Sequence, residues 1–328
     1  MKNALLFNQD DSKAKTDKGE NFYRGSNPDF GAVFTYFVKD KIQTLREKRR
    51  EDERENESGT PKIDFSELDK ERREKPPFLL FTIADEFGRT VRKLTRDYST
   101  GMGRIVWNLR YASDEPVSAE TNPNYHSGYF VMPGKYRVTM FKCANGDISQ
   151  LGETQEFTVS KLNNSTLPPP DAKELDEFRL KVSRIQGALE GTRKAIRKTE
   201  QKLQAAEKAV LASSVPNNSL IVKIRRSAEE LKDLQYKIDG NATLSKYNEN
   251  QPPSINDRID YIVWGIWQTS SPISETQKMS YRIAAEELAD VLKNLKRIVN
   301  KDIEAYEKEI RGSGAPQFED GIPGWIPE

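Results

Sequence analysis

A run of apolar or small residues spaced alternately three and four apart constrains this chain more than any other feature: Leu175, Phe178, Val182, Ile185, Leu189, Thr192, Ile196, Thr199, Leu203, Ala206 and Val210. That spacing places one seam along a single long helix. Almost every position between is charged or polar, so the helix must hide the seam against other helices. Such a pattern is packing machinery rather than catalytic machinery. Between residues 30 and 160 the hydropathy alternates with a period of two instead, so a β-module and a helical module share the chain.

At 328 residues the chain is long enough for two domains of ordinary size. Hydrophobic content of 35% beside 31% charged residues suits a thin sandwich and a slender helical bundle, both of which have much surface per unit of core. The net charge of +1, from 52 basic and 51 acidic residues, supplies no overall field for nucleic acid or anionic lipid, so neither is expected as a partner. Cys143 is the only cysteine, which excludes an internal disulfide and a cysteine-based zinc site within one chain. No apolar run approaches the roughly 18 to 20 residues of a membrane span, so membrane insertion is not expected. The apolar stretch after Met1 is too short for a signal-peptide core, and any export signal is expected outside this chain.

The fold class expected from these patterns is α+β and multidomain: an antiparallel immunoglobulin or fibronectin III-like β-sandwich followed by an elongated antiparallel α-helical bundle. Residues 1–29 read as a leading segment. The sandwich spans 30–162, with strands at Ala32–Val38, Phe78–Ile83, Thr90–Leu94, Gly103–Leu109, Gly134–Met140 and Glu156–Val159. In these, Leu79/Phe81/Ile83, Ile105/Trp107/Leu109, Tyr136/Val138/Met140 and Phe157/Val159 alternate with polar partners, giving each strand one buried face. Asp85-Glu-Phe-Gly88 and Cys143-Ala-Asn-Gly146 supply the turns. A charged insertion at 39–75 interrupts the strands and reads as a solvated helical excursion.

Residues 163–170 form a Pro-rich linker, and 171–311 the helical bundle. Asp171 with Glu174 caps the long helix, which runs to about Ser213 and breaks at Val215-Pro216. A second helix carries Leu220, Ile224, Leu231, Leu234 and Ile238 to Gly240, and a short third follows Ser254 and Asp257 through Ile259, Ile262, Val263 and Ile266. Ser274 with Gln277 caps the last, whose expected stripe is Tyr281, Ala285, Leu288, Leu292, Leu295, Val299, Ile303, Tyr306 and Ile310. Residues 312–328 read as an extended tail. Matching stripes within one chain favour a monomer over a coiled-coil dimer.

Reaction signatures are missing: there is no G-x-S-x-G, H-E-x-x-H, phosphate-binding glycine loop or calcium loop. His126, the only histidine, lies in Pro123-Asn-Tyr-His-Ser-Gly and reads as a loop or strand-edge residue, and Cys143 as a small buried side chain. Paired carboxylates serve glycoside hydrolysis, but nothing singles out two among 51. Trp107 reads as the sandwich's core tryptophan, and the aromatics of Tyr261-Ile-Val-Trp-Gly-Ile-Trp267 as core rather than a carbohydrate platform. No catalytic, cofactor-binding or metal-ligating residue is assigned.

Gly31-Ala-Val-Phe-Thr-Tyr, Pro77-Phe-Leu-Leu-Phe-Thr-Ile-Ala-Asp-Glu-Phe-Gly88, Gly103-Arg-Ile-Val-Trp-Asn-Leu-Arg110 and Val131-Met-Pro-Gly-Lys-Tyr-Arg-Val138, taken in order, resemble the region downstream of the β-propeller in bacterial sortilin-type proteins. Those proteins carry Asp-box (BNR) repeats and are often labelled glycosyl hydrolases. Pro252-Pro-Ser-Ile-Asn-Asp-Arg258 and Gly314-Ala-Pro316 also look like that family's C-terminal portion, and the sandwich is similar to the immunoglobulin-like module of the flagellar hook-capping protein. No S-x-D-x-G-x-T-W Asp-box occurs, so no propeller-borne site is carried over, and Met1 is expected to open a fragment or split gene product. The resemblance implies an exported, non-catalytic accessory region that positions or braces its own or a separate propeller, or contacts another protein. Two alternatives stay open: part of a glycoside hydrolase whose catalytic site lies mainly elsewhere, and a self-associating coiled-coil scaffold.

Overall fold

The computed structural model describes residues 3–7, 29–55, 65–144, 146–162, 171–214, 217–267 and 271–312. Most of the expected leading segment, the Pro-rich linker, the Val215-Pro216 break and the tail beyond Gly312 lie outside these. With 52% helix and 25% strand segregated along the sequence, the chain is α+β. It divides into two compact units, one of Met1–Ser113 with Ser118–Thr166 and one of Asp114–Val117 with Leu167–Glu328. Four residues from within the expected β-module therefore group with the helices.

The first unit holds β1 (Ala4–Leu6), β2 (Ala32–Val38), β3 (Phe78–Asp85), β4 (Thr90–Asp97), β5 (Gly101–Trp107), β6 (Arg110–Ala112), β7 (Ser127–Phe130), β8 (Gly134–Ala144) and β9 (Asp147–Lys161). A curled five-stranded sheet has the order β1-β9-β8-β3-β4, and β2–β5 and β6–β7 form two-stranded sheets. The five-stranded sheet is mixed, because β1 pairs parallel to β9 through Ala4↔Val159. An all-antiparallel arrangement was expected; three residues are too few for alternation to betray a strand. Along β3, Leu79, Phe81 and Ile83 face inward as their period of two requires, and they share one apolar cluster with Tyr136, Val138, Phe157 and Val159 and with Phe34, Ile105 and Trp107 of β2 and β5. Trp107 is fully buried, its ring edge-on to Tyr136 at 5.4 Å, and its indole Nε1–H donates to Arg110 O at 2.9 Å. The β3–β4 turn uses Gly88 at φ +80°, while the Asp85 carboxylate accepts the amides of Phe87 and Arg89.

The charged excursion contains α1 (Leu45–Glu55) and α2 (Phe65–Arg73), neither of which buries a residue. They meet through charge: Arg49 donates from Nε and a terminal nitrogen to the two oxygens of Glu71 at 2.8 and 3.1 Å.

In the second unit α3 spans Ala172–Ala212, 41 residues and about 60 Å, and every member of the seam from Leu175 to Val210 is buried. Asp171 caps it by accepting from the amides of Lys173 and Glu174. The rest of the unit is α4 (Asn218–Asp239), α5 (Ala242–Lys246), α6 (Ile255–Trp267), α7 (Glu275–Arg297) and α8 (Glu304–Gly312), the last two joined by a π-helical turn, Ile298–Ile303. Arg193 pairs with Asp239 and Arg225 with Glu207, so α4 runs back along α3. Further along, Arg179 of α3 bonds Ile266 O of α6, so α4 and α6 succeed each other on the same partner. Ser227–Tyr306 and Lys223–Glu309 set α8 against α4 in the opposite sense. Among the described residues no helix is long and apolar enough to cross a membrane.

The last stripe differs from expectation. Buried positions on α7 and beyond are Ala284, Leu288, Val291, Leu295, Ile298, Ile303, Tyr306 and Ile310, whereas Val299 is 37% exposed. Between Ile298 and Ile303 the spacing is five. An α-helix would swing that step off the face; one wider π turn absorbs the extra residue and returns Ile303 to the seam.

Candidate functional site

Eight polar side chains are buried among the described residues: Asp85, Arg92, Arg179, Ser183, Thr192, Thr199, Ser227 and Ser254. Burial of a polar group costs stability unless it is hydrogen-bonded, so their partners reveal what each is for. Thr192 and Thr199 bond back to the carbonyls of Ala188 and Ala195 on their own helix. Ser254 exchanges bonds with Asp257 to open α6, and Ser227 meets the Tyr306 hydroxyl at 2.8 Å.

Arg92 is the most elaborate. Its guanidinium donates to the carbonyls of Pro123 and Asn124 at 2.9 Å, of Tyr111 at 3.3 Å and of His126, while Nε has no partner. Burial lowers its pKa, and the bonding groups around it are carbonyl dipoles. Asn124 completes the clamp. Its side-chain amide accepts from Thr95 N and donates to Thr95 O, both at 2.8 Å, imitating a neighbouring strand. The edge of β4 is thereby covered, which is how sheets avoid unwanted pairing. His126 thus lies in a structural loop, where its carbonyl serves Arg92.

Cys143, the penultimate residue of β8, is in register with Phe78 of β3, which pairs in turn with Asp97 of β4. The Arg92 clamp holds His126 near the other end of β4, five residues along and two strands across from Cys143, so no thiol–imidazole pair is assembled. Burial also pushes the Cys143 thiol pKa up, the opposite of what a thiolate nucleophile needs. Among the described residues no cluster of His, Cys, Asp and Glu is grouped to hold a metal ion.

The aromatics of α6 correct the sequence reading. Ile255, Ile259, Ile262 and Ile266 form the buried stripe, so Tyr261 and Trp264, lying between, are carried to the solvent face at 53% and 77% exposure. Trp267 is half-buried.

Sequence reasoning missed a cleft of about 450 Å³ in the helical unit. It opens where Gly240, at φ +76°, ends α4 and the chain detours through α5 and Pro252-Pro253 before α6 begins. Tyr236, Leu244, Pro252 and Pro253 give it an apolar lining, and Glu287 and Asp290 of α7 stand on one wall with Lys237 on α4. Its one visible signal was Pro252-Pro253, which forbids continuous helix. A smaller cleft of about 290 Å³ flanks the π turn, where Lys198 and Lys202 face Glu304 and Glu307.

No protein-family model matches the sequence, and no curated protein matches it. The site's meaning rests on its own chemistry.

Proposed function

We propose that this chain is a non-catalytic accessory or interaction region, in which an immunoglobulin-like β-sandwich and an antiparallel helical bundle hold or brace a partner domain. The observation that carries this reading is the use made of buried polarity. All eight buried polar side chains are engaged in turns, caps, loop clamps or helix contacts, and each unit closes an apolar core of its own. The α3 seam is covered within the chain, which favours a monomer over a self-associating coiled coil. The resemblance to the region behind the propeller of sortilin-type bacterial proteins suggests that the partner is a β-propeller and the setting is outside the cytoplasm.

The test is a binding measurement between this chain and a separately produced propeller of that family. Saturable association supports the bracing role, and no association at high concentration argues against it. Turnover of a polysaccharide by the chain, abolished by one Asp or Glu substitution, would favour the glycoside hydrolase alternative instead.

A further inference from the structure

Which groups of the α4–α6 cleft are already spent decides what it can take. Gln251 accepts from Asn241 N at 3.2 Å and donates to Ser245 Oγ at 2.6 Å, while Asn241 Oδ1 accepts the amides of Thr243 and Leu244. Ser254 is committed to Asp257. Those polar groups shape the cleft but have little left to offer a ligand.

What remains open is of three kinds. The ring of Tyr236, which has the Lys232 ammonium 5.8 Å from its centroid but is still 37% exposed, and the side chains of Leu244, Pro252 and Pro253 supply apolar surface. Glu287 and Asp290, three residues apart on α7, lie side by side on one wall. Glu287 has only a long contact with Arg258 at 3.8 Å, and the Asp290 carboxylate has no partner among the described residues.

An aromatic face, an apolar floor and adjacent carboxylates match the three parts of one side chain. A guanidinium is planar and weakly hydrated, so it stacks on a ring and forks onto carboxylate oxygens, while its methylene stem covers apolar surface. A lysine ammonium would gain the charge but not the stacking. An uncharged apolar ligand would strip water from two carboxylates with no return. Lys237 on the α4 side and Arg258 beside Glu287 offset part of the pull of the two carboxylates, so the cleft suits one cationic group and not two.

We propose that this cleft receives an arginine side chain presented, between apolar neighbours, by a partner polypeptide. About 450 Å³ accommodates that side chain with part of a flanking residue. The proposal rests on reading the chain as an interaction region but not on the partner being a propeller.

The experiment titrates the full chain with the blocked tripeptide Leu-Arg-Leu and with its citrulline analogue, which keeps the planar group and loses the charge, following backbone amide resonances. The arginine peptide is expected to move the signals of Asn241, Leu244 and Asp290. The citrulline peptide, and the arginine peptide on an E287Q/D290N variant, are expected to bind about five-fold more weakly or worse, the size of a partly exposed charge contact. Both substituted carboxylates are exposed, and an otherwise unchanged amide spectrum checks that the variant folds; Tyr236→Leu provides a second, charge-neutral variant that should also weaken binding. Equal binding of the two peptides, shifts confined to other parts of the chain, or no shifts at the highest peptide concentration would overturn the proposal. A propeller that fails to bind while the peptide binds would dismiss the propeller and leave the cleft.

Discussion

Gly187 of α3 lies directly against the backbone of Asp114: a Cβ at this position would press into the Asp114 carbonyl oxygen and sit 2.8 Å from its carbon. Ser183, Gly187 and Gly191 fall one turn apart, making a shallow furrow on the helix that Asp114–Val117 occupies within the helical unit. Ser183 Oγ donates to Asp114 Oδ2 at 2.6 Å, Gln186 Nε2 to Glu115 Oε1 at 3.1 Å and Lys194 Nζ to Pro116 O at 2.6 Å. Gly187→Ala therefore sets two effects against each other. Helix propensity gains up to about 1 kcal/mol, but overpacking against backbone costs about 1–3 kcal/mol. The clash should win, lowering the thermal stability of the helical unit and exposing the 114–117 segment to protease. Gly191→Ala is the control, since its Cβ would meet only Pro116 Cγ at 3.4 Å and should raise stability instead. A rise for both variants would show that the segment is not held.

Arg92→Met tests the loop clamp. It removes the hydrogen bonds that the guanidinium gives to the part-buried carbonyls of Tyr111, Pro123, Asn124 and His126, each worth about 0.5–1.5 kcal/mol net and more where water cannot replace the donor. A loss of roughly 3 kcal/mol in the stability of the β-unit is expected, with faster hydrogen exchange at Thr95, whose amide bonds Asn124. Arg92→Lys should recover little, because one ammonium cannot span four carbonyls. Unchanged exchange at Thr95 would mean that the loop is held by something else.

These two features mark where sequence reading stops. The α3 seam was legible down to its last residue because eleven positions repeat one period, and period survives without knowledge of the partner. The inward faces of β3 and β5 were legible for the same reason. Ser183, Gly187 and Gly191 are three weak helix formers with no periodic signal of their own, and their role depends on a segment some seventy residues upstream. Arg92 is one charge in an alternating strand, and only tertiary structure supplies its carbonyls. The exposed Tyr261 and Trp264 were misread because four isoleucines already complete the buried stripe of α6. A cleft made by a detour between helices has no periodicity to find.

The α1–α2 pair makes a prediction about solution conditions. Its helices bury nothing, so the Arg49–Glu71 fork carries much of their association. Hydrogen bonds to Glu71 and then Glu53 raise the Arg49 pKa, and the bond from Arg49 holds the Glu71 carboxyl below its ordinary value of 4.5. A carboxyl with a depressed folded pKa contributes its stabilisation in full above the unfolded value and loses it as pH falls through the folded one. The helical chemical shifts of Leu45–Glu55 should therefore persist at neutral pH and fade below about pH 4. They should also weaken as salt screens the exposed pair. Glu71→Gln should flatten the salt response; a response that survives it would place the contact elsewhere.

The π turn gives the sharpest test, because it rests on counting. Ile298 and Ile303 both lie on the seam although they are five positions apart, and Asn300 and Lys301 between them are exposed. Deleting Asn300 leaves a spacing of four, which an ordinary α-helix satisfies, so Ile303, Tyr306 and Ile310 stay on the buried face and the Tyr306–Ser227 bond can form. Stability should hold or rise, with a straight helix through the former π turn. Deleting the equally exposed Lys293 rotates everything beyond it by about 100° relative to α3 and α4, turning Leu295, Ile298 and Ile303 out of the core. Losing several buried aliphatic side chains at about 1.5–3 kcal/mol each should unfold much of the helical unit. Thermal unfolding followed by far-ultraviolet circular dichroism separates the two deletions, and equal damage from both would show that the π turn is kept for a reason other than register.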